Sequence, residues 1–225
     1  MSFFLFHPPN LSKKARPPNR ISPAVDTKFG PNIHKYLREL NETTFGTDAE
    51  IITVGEMSST SMENCYQYAS EDGKELSMVF SFHHLKVDFM GNEKWVMVPF
   101  DFHKLKHILF DWQTHMAEHH AWNAVFWCNH DQPRVVSRFG NTKEYWKESA
   151  KMLGTVIHCM RGTPYIYQGE ELGMTNPGFT DISQYKDVES LNHFRILQEK
   201  GLTEENAYQI LQIHSRDNSR TPMQW

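Results

Sequence analysis

The chain has 225 residues, 39% of them hydrophobic and 13% aromatic, which is enough apolar material for a packed core. A formal net charge of -4 gives no electrostatic reason to expect nucleic acid as a partner, and no apolar run approaches the ~18 residues that span a bilayer. The apolar start, Met1-Ser-Phe-Phe-Leu-Phe6, is too short for a secretory segment and runs into His7-Pro8-Pro9, so a cytoplasmic protein without membrane association is expected.

Residues 1–25 differ from the rest. Lys13, Lys14, Arg16 and Arg20 mix with Pro8, Pro9, Pro17, Pro18 and Pro23 without apolar periodicity, which predicts a disordered Pro/basic arm. Residues 26–225 then form the domain. Ile33 to Leu40 reads as the end of a helix. Glu50 to Glu56, rich in β-branched residues, predicts a buried strand that ends in glycine and a carboxylate. Leu76 to Phe82 is a second strand. Phe102 to Met116 has helical spacing, with Leu105, Ile108, Leu109 and Trp112 on one face. Ala124 to Cys128 is a third strand, running into Asn129-His-Asp131. A helix over Lys143 to Met160 precedes a fourth strand within Gly162 to Gly169. Helices follow over Val188 to Lys200 and Thr203 to His214.

Alternation of this kind favours parallel strands with helical crossovers, an α/β fold. Four strands at this spacing make half of a (β/α)8 TIM barrel. Functional residues of such barrels sit at the C-terminal ends of strands, where Glu56, Asp131 and Gln168-Gly-Glu170 fall. Cys65, Cys128 and Cys159 are odd in number and contain no CxxC pair, so they read as reduced and structural. The pairs His83-His84 and His119-His120 are adjacent rather than four apart, so no metal site is expected. Trp127 and Cys128 read as interior residues. Two carboxylates at neighbouring strand ends suit glycoside cleavage, where one donates a proton to the leaving oxygen and others stabilise or attack the anomeric centre. A lone acid after a strand reads equally well as a helix cap or surface ion pair.

Four segments sharpen that choice. Val54-Gly-Glu-Met57 and Asn129-His-Asp-Gln-Pro-Arg134 resemble the strand-5 and strand-7 motifs of the α-amylase superfamily, glycoside hydrolase family 13. Gly162-Thr-Pro-Tyr-Ile-Tyr-Gln-Gly-Glu-Glu-Leu-Gly173 resembles its strand-8 motif, and Ser215-Arg-Asp-Asn-Ser-Arg-Thr-Pro-Met-Gln-Trp225 a segment of its oligosaccharide α-glucosidases. The resemblance implies strands 5–8 of the barrel with their helices, without strands 1–4 or the C-terminal β-sandwich. It makes Glu56 the general acid/base and Asp131 the transition-state stabiliser. His130 becomes a donor to sugar hydroxyls, and Arg216 the arginine of the glucose subsite. No cofactor is implied, because carboxylates do the chemistry.

Phe82-His-His-Leu-Lys-Val-Asp-Phe-Met-Gly-Asn-Glu-Lys-Trp95 resembles the trehalose-6-phosphate hydrolases of that family. Lys86 and Lys94 would bind the phosphate of a small sugar phosphate, the expected partner. The alternatives are an oligo-1,6-glucosidase or dextran glucosidase type, and a non-catalytic sugar-binding fragment. The family's nucleophile is an aspartate after strand 4, whose motif would fall near the start of this chain. The residues there, Ser-Phe-Phe-Leu-Phe-His-Pro-Pro, hold no carboxylate. The expectation is a fragment that needs the other half of a barrel for activity.

Overall fold

The computed structural model describes residues 3–6, as backbone, and residues 30–224. They divide into two compact units. One gathers residues up to 84 with 107–124 and 161–163; the other gathers residues 85–106, 125–160 and those from 164 onward.

The first unit is built on a parallel sheet. β1 (Phe3–Phe6), β2 (Ile52–Met57) and β3 (Met78–Ser81) pair side by side, with Phe6 opposite Gly55 and Glu56 opposite Phe80. β4 (Asn123–Phe126) enters through Asn123 and Ala124, which pair with Val79 and Phe80. With β5 (Thr163–Tyr165) the strand order is β1-β2-β3-β4-β5. Parallel neighbours need crossover connections. α1 (Ile33–Thr43), the short α2 (Met62–Cys65) and α3 (Phe102–Glu118) lie in the connections that separate β1 through β4.

The expected strands are observed as β2 to β5, but the sheet has a fifth member. The disordered arm expected over residues 1–25 contains β1, because a Phe-Phe-Leu-Phe run has high strand propensity and finds an edge of β2 to pair with. The rest of that arm, residues 7–25, lies outside the described residues.

Side chains alternate between the two faces of β2. Met57 packs into a core with Cys65, Leu76, Val79, Trp112 and Met116. Gly55 shares that face, and a Cβ there would meet Leu76 Cδ1 at 2.7 Å and Met57 Cε at 2.9 Å, so a larger residue would have to displace both side-chain ends. Val54 and Glu56 therefore point to the opposite face, where Glu56 is half-buried. A polar latch docks α1. His34, Arg38 and Asn41, spaced along one helix face, all bond Glu75: His34 Nδ1 and Arg38 Nε reach its carboxylate at 2.9 and 3.1 Å, and Asn41 Nδ2 donates to its backbone oxygen at 3.1 Å.

The second unit holds α4 (Val135–Phe139), α5 (Trp146–His158), α6 (Val188–Glu199) and α7 (Glu204–His214). The α6 start is set by Asp187, whose side chain caps the Glu189 N–H, and the α7 start by Thr203, which caps Asn206. Tyr185, Leu197, Ala207, Ile210 and Leu211 form a core with Trp95. Trp127 and Cys128 are buried, and the Trp127 indole donates to the Leu153 carbonyl of α5. All three cysteines are free, Cys65 and Cys128 buried and Cys159 exposed. Among the described residues no helix is long and apolar enough to cross a membrane.

Candidate functional site

The loop after β4 is shaped by its own side chains. Asn129 Oδ1 accepts the Asp131 N–H at 2.8 Å, a local turn that turns the Asp131 carboxylate outward. Three residues on, Arg134 is fully buried and ties the loop down: its N–H donates to Asn176 Oδ1, Nη1 to the Gln168 carbonyl and Nη2 to the Ser219 carbonyl. Gly169, beside that guanidinium, has φ +86, and a Cβ there would lie 2.2 Å from the Met174 sulfur.

The turn Arg216–Ser219 is fixed just as firmly. Asp217 is buried; its carboxylate accepts the N–H groups of Lys186 and Asp187 and the Ser215 hydroxyl. These donors hold the Asp217 carboxyl below its ordinary range, although burial alone would raise it. Asn218 donates to the Leu211 and Gln212 carbonyls at the end of α7. Arg216 and Arg220, on either side of these anchors, are thereby presented together.

Both arginines reach Asp131. Arg216 Nη1 and Arg220 Nη2 donate to the same oxygen, Oδ1, at 3.1 and 2.7 Å. Arg220 also donates through Nη1 to Asp187 Oδ2 (2.7 Å) and through Nε to the His130 carbonyl (2.8 Å). Arg216 grips Glu189 Oε2 with Nη2 at 2.6 Å and Nε at 2.9 Å. Lys94 Nζ donates to that same Glu189 oxygen at 3.2 Å. His130 Nε2 lies 3.6 Å from Asp131 Oδ2, on a largely exposed ring. Three cations and three carboxylates thus alternate in one half-exposed cluster whose formal charges cancel.

Lys94 owes its position to a well-anchored loop. Asp88 forms a buried pair with Arg138, Nε to Oδ2 at 2.8 Å and Nη2 to Oδ1 at 2.6 Å. At the far end His214 Nε2 bonds the Val96 carbonyl at 2.7 Å; burial lowers the imidazole's proton affinity, so the neutral ring donates. The Lys94 ammonium lies 4.6 Å from the centre of the buried Trp95 ring. Burial pushes the Lys94 ammonium down from its ordinary range, and Glu189 only partly opposes it. Glu189 is itself half-buried, which would raise it, but Lys94 and Arg216 outweigh that and hold it low.

This geometry, with an aspartate after β4 held by two arginines from a Ser-Arg-Asp-Asn-Ser-Arg turn, sits inside a sequence match to "Alpha amylase, catalytic domain" over residues 8–225. The chain belongs to the alpha-amylase family. Among its relatives, the trehalose-6-phosphate hydrolases of Bacillus subtilis (strain 168) and Escherichia coli (strain K12) are 61% and 58% identical to it over 196 residues. The oligo-1,6-glucosidase of Bacillus cereus is 51% identical over 197. Each alignment takes in 87% of this chain and 35% of the relative, so the chain spans about a third of the length of these relatives. The crystal structure of Bacillus licheniformis trehalose-6-phosphate hydrolase superposes with a TM-score of 0.84 at 58% identity, again over 87% of this chain and 35% of that one.

Of the residues the sequence singled out in this alpha-amylase-family chain, His130, Asp131, Arg216 and Lys94 come together, the last through Glu189. Lys86 ends the 3-10 turn His83–Lys86, half-buried. Glu56 stands in the first unit, at the next-to-last position of β2. Arg220, Asp187 and Glu189 were not singled out. Arg220 lies within the 215–225 segment, and an Asp opening an apolar-periodic helix is a legible cap signal for Asp187; Glu189 carries no such signal. Glu170, beside the buried Arg134, is pushed up to about 7, by burial above all, while it accepts the Tyr167 N–H. Among the described residues no group of three or more His, Cys, Asp or Glu could hold a metal ion.

Proposed function

We propose that this chain is part of a retaining α-glucosidase that splits α,α-trehalose 6-phosphate into glucose and glucose 6-phosphate. In this assignment β2 to β5 correspond to strands 5–8 of a (β/α)8 barrel and β1 to strand 4. Glu56 protonates the leaving oxygen and later activates water; Asp131 stabilises the oxocarbenium-like centre; His130 and Arg216 bind the glucose ring; Lys86 and Lys94 take the phosphate. Asp131 carries the proposal: a half-exposed carboxylate, presented by its own loop and gripped by two arginines, in a chain 61% identical to a trehalose-6-phosphate hydrolase.

The residues of β1 and those just after it hold no carboxylate, so the chain by itself lacks a nucleophile in the place where the family keeps one. Retention requires that group ~5 Å from the acid/base. We therefore expect no glucose release from trehalose 6-phosphate by the chain alone. A version extended through an intact strand 4 and the strands before it should turn over, and lose about 10³-fold or more on Glu56→Gln. An extended protein that stays silent, or one indifferent to Glu56→Gln, overturns the assignment.

A second substrate class is favoured by one observation. Lys94 is already matched by Glu189, which suits a neutral α-1,6-glucoside as well as a phosphate ester. In the extended protein, replacing Lys86 and Lys94 by Ala separates the two: selectivity for the phosphorylated disaccharide collapses under the first reading and is unchanged under the second.

A further inference from the structure

Glu189 Oε2 receives three N–H donors from two cations: Lys94 Nζ at 3.2 Å, Arg216 Nε at 2.9 Å and Arg216 Nη2 at 2.6 Å. Convergence of a guanidinium and an ammonium on one anionic oxygen is the donor arrangement that recognises a phosphate ester. Here a side chain of the protein fills it. We propose that Glu189 is a built-in competitor for the anion site of Lys94 and Arg216, and that a sugar phosphate binds by taking Lys94 from it.

Charge and anchoring support this. With Glu189 present, Lys94, Arg216 and Arg220 are balanced by Asp131, Asp187 and Glu189, leaving no excess positive charge to draw in a dianion. Without its charge, two cations face one another across an unfilled acceptor. Glu189 is also held from behind. Its N–H is capped by Asp187 Oδ1 at 2.8 Å, and its carbonyl accepts His193 Nδ1 at 3.0 Å. The His193 ring in turn stacks on Trp95, centroids 4.5 Å apart at 16°. The carboxylate cannot leave by unwinding α6, whereas the Lys94 ammonium, on its flexible stem over the Trp95 ring, can turn toward an incoming anion. Competition of this kind lets the site accept a phosphate ester while resisting other anions that offer fewer acceptor oxygens.

The inference rests on the assignment of Lys94 to a sugar phosphate, and the test keeps the two separable. Glucose 6-phosphate and glucose are titrated into the full chain, its Glu189→Gln variant and its Lys94→Met variant, by calorimetry at neutral pH and low salt. Glu189→Gln should bind glucose 6-phosphate about tenfold tighter, the order expected when one like charge is removed from a partly screened site, a gain that glucose does not share. Equal or weaker binding of glucose 6-phosphate by Glu189→Gln overturns the proposal, because Glu189 then positions the cations instead of competing for them. If Lys94→Met leaves glucose 6-phosphate affinity unchanged, the phosphate assignment of Lys94 fails, and the competitor role fails with it.

A measurement on the unmodified chain guards against misfolding of the variant. The Glu189 side-chain carboxyl 13C resonance should move as glucose 6-phosphate is added and stay still with glucose. A resonance that ignores both sugars overturns the proposal.

Discussion

The two units handle carboxylates in opposite ways. In the first, Glu75 has a side chain with 0% exposure, and the donors that reach it among the described residues come from one helix, α1. In the second, Asp131 and Glu189 keep 36% and 26% of their side-chain surface, and their donors come from two distant stretches of chain, one at residue 94 and one at residues 216–220. A closed carboxylate served by a single element docks that element. A half-open one on which distant arginines converge leaves room for a ligand and is expected to contribute little to stability. The proposed function rests on the second kind.

The largest expected effect lies at the closed end of that contrast. Glu75→Ala should destabilise the chain by about 3 kcal/mol, the low end for breaking a buried ion pair, because Arg38 is more than half exposed and can turn to water. Urea unfolding measures the loss, and amide exchange of α1 should quicken more than that of α6. Asp131→Asn, read in the same way, should stay within about 1 kcal/mol. Equal losses at the two positions would erase the distinction.

Glu170 sharpens the contrast from within the second unit. It is less enclosed than Glu75 but poorly served: a backbone N–H from Tyr167 at 3.2 Å and the field of Arg134 do not offset its burial, and its pKa rises from 4.5 to about 7. Between those values the folded chain holds a proton that the unfolded chain has lost. The contribution of this group is therefore greatest below about pH 4.5, falls as pH rises through that window, and is gone above about pH 7, a change of up to about 3 kcal/mol. Glu170→Gln should flatten the decline in unfolding free energy between about pH 4.5 and pH 7. An unaltered slope would assign the decline to another group.

Much of this was legible in the sequence, and the limits have physical causes. The Ile-Ile-Thr-Val run before Gly55 and the 3.6-residue periodicities of α3, α6 and α7 declare themselves locally, as do the motifs around Glu56, Asp131 and Arg216. β1 did not, because four apolar residues beside a Pro-rich stretch become a strand only where another strand offers an edge. Arg220 and Asp131 are 89 positions apart and Lys94 and Glu189 are 95 apart, so their pairing belongs to tertiary structure. For the same reason the sequence offers Lys94 as a phosphate ligand without the carboxylate partner and the aromatic floor that the fold gives it.

The smallest expected effect is the most discriminating. Arg220 spreads three N–H groups over three acceptors: Nε to the His130 carbonyl, Nη1 to Asp187 and Nη2 to Asp131. A lysine keeps the charge but is a single point donor, so it cannot serve all three at once. Because Arg220 and Asp131 are each 36% exposed, Arg220→Lys should cost less than about 1 kcal/mol of stability. Asp131 would nevertheless lose one of the two guanidiniums that set its orientation, and glucose binding by the chain should weaken by roughly fivefold or more, about 1 kcal/mol. Weaker glucose binding with unchanged urea unfolding places Arg220 on the functional side of the contrast. The reverse, a stability loss near that of Glu75→Ala with glucose affinity intact, would make the arginine cluster a structural clasp like the one that docks α1.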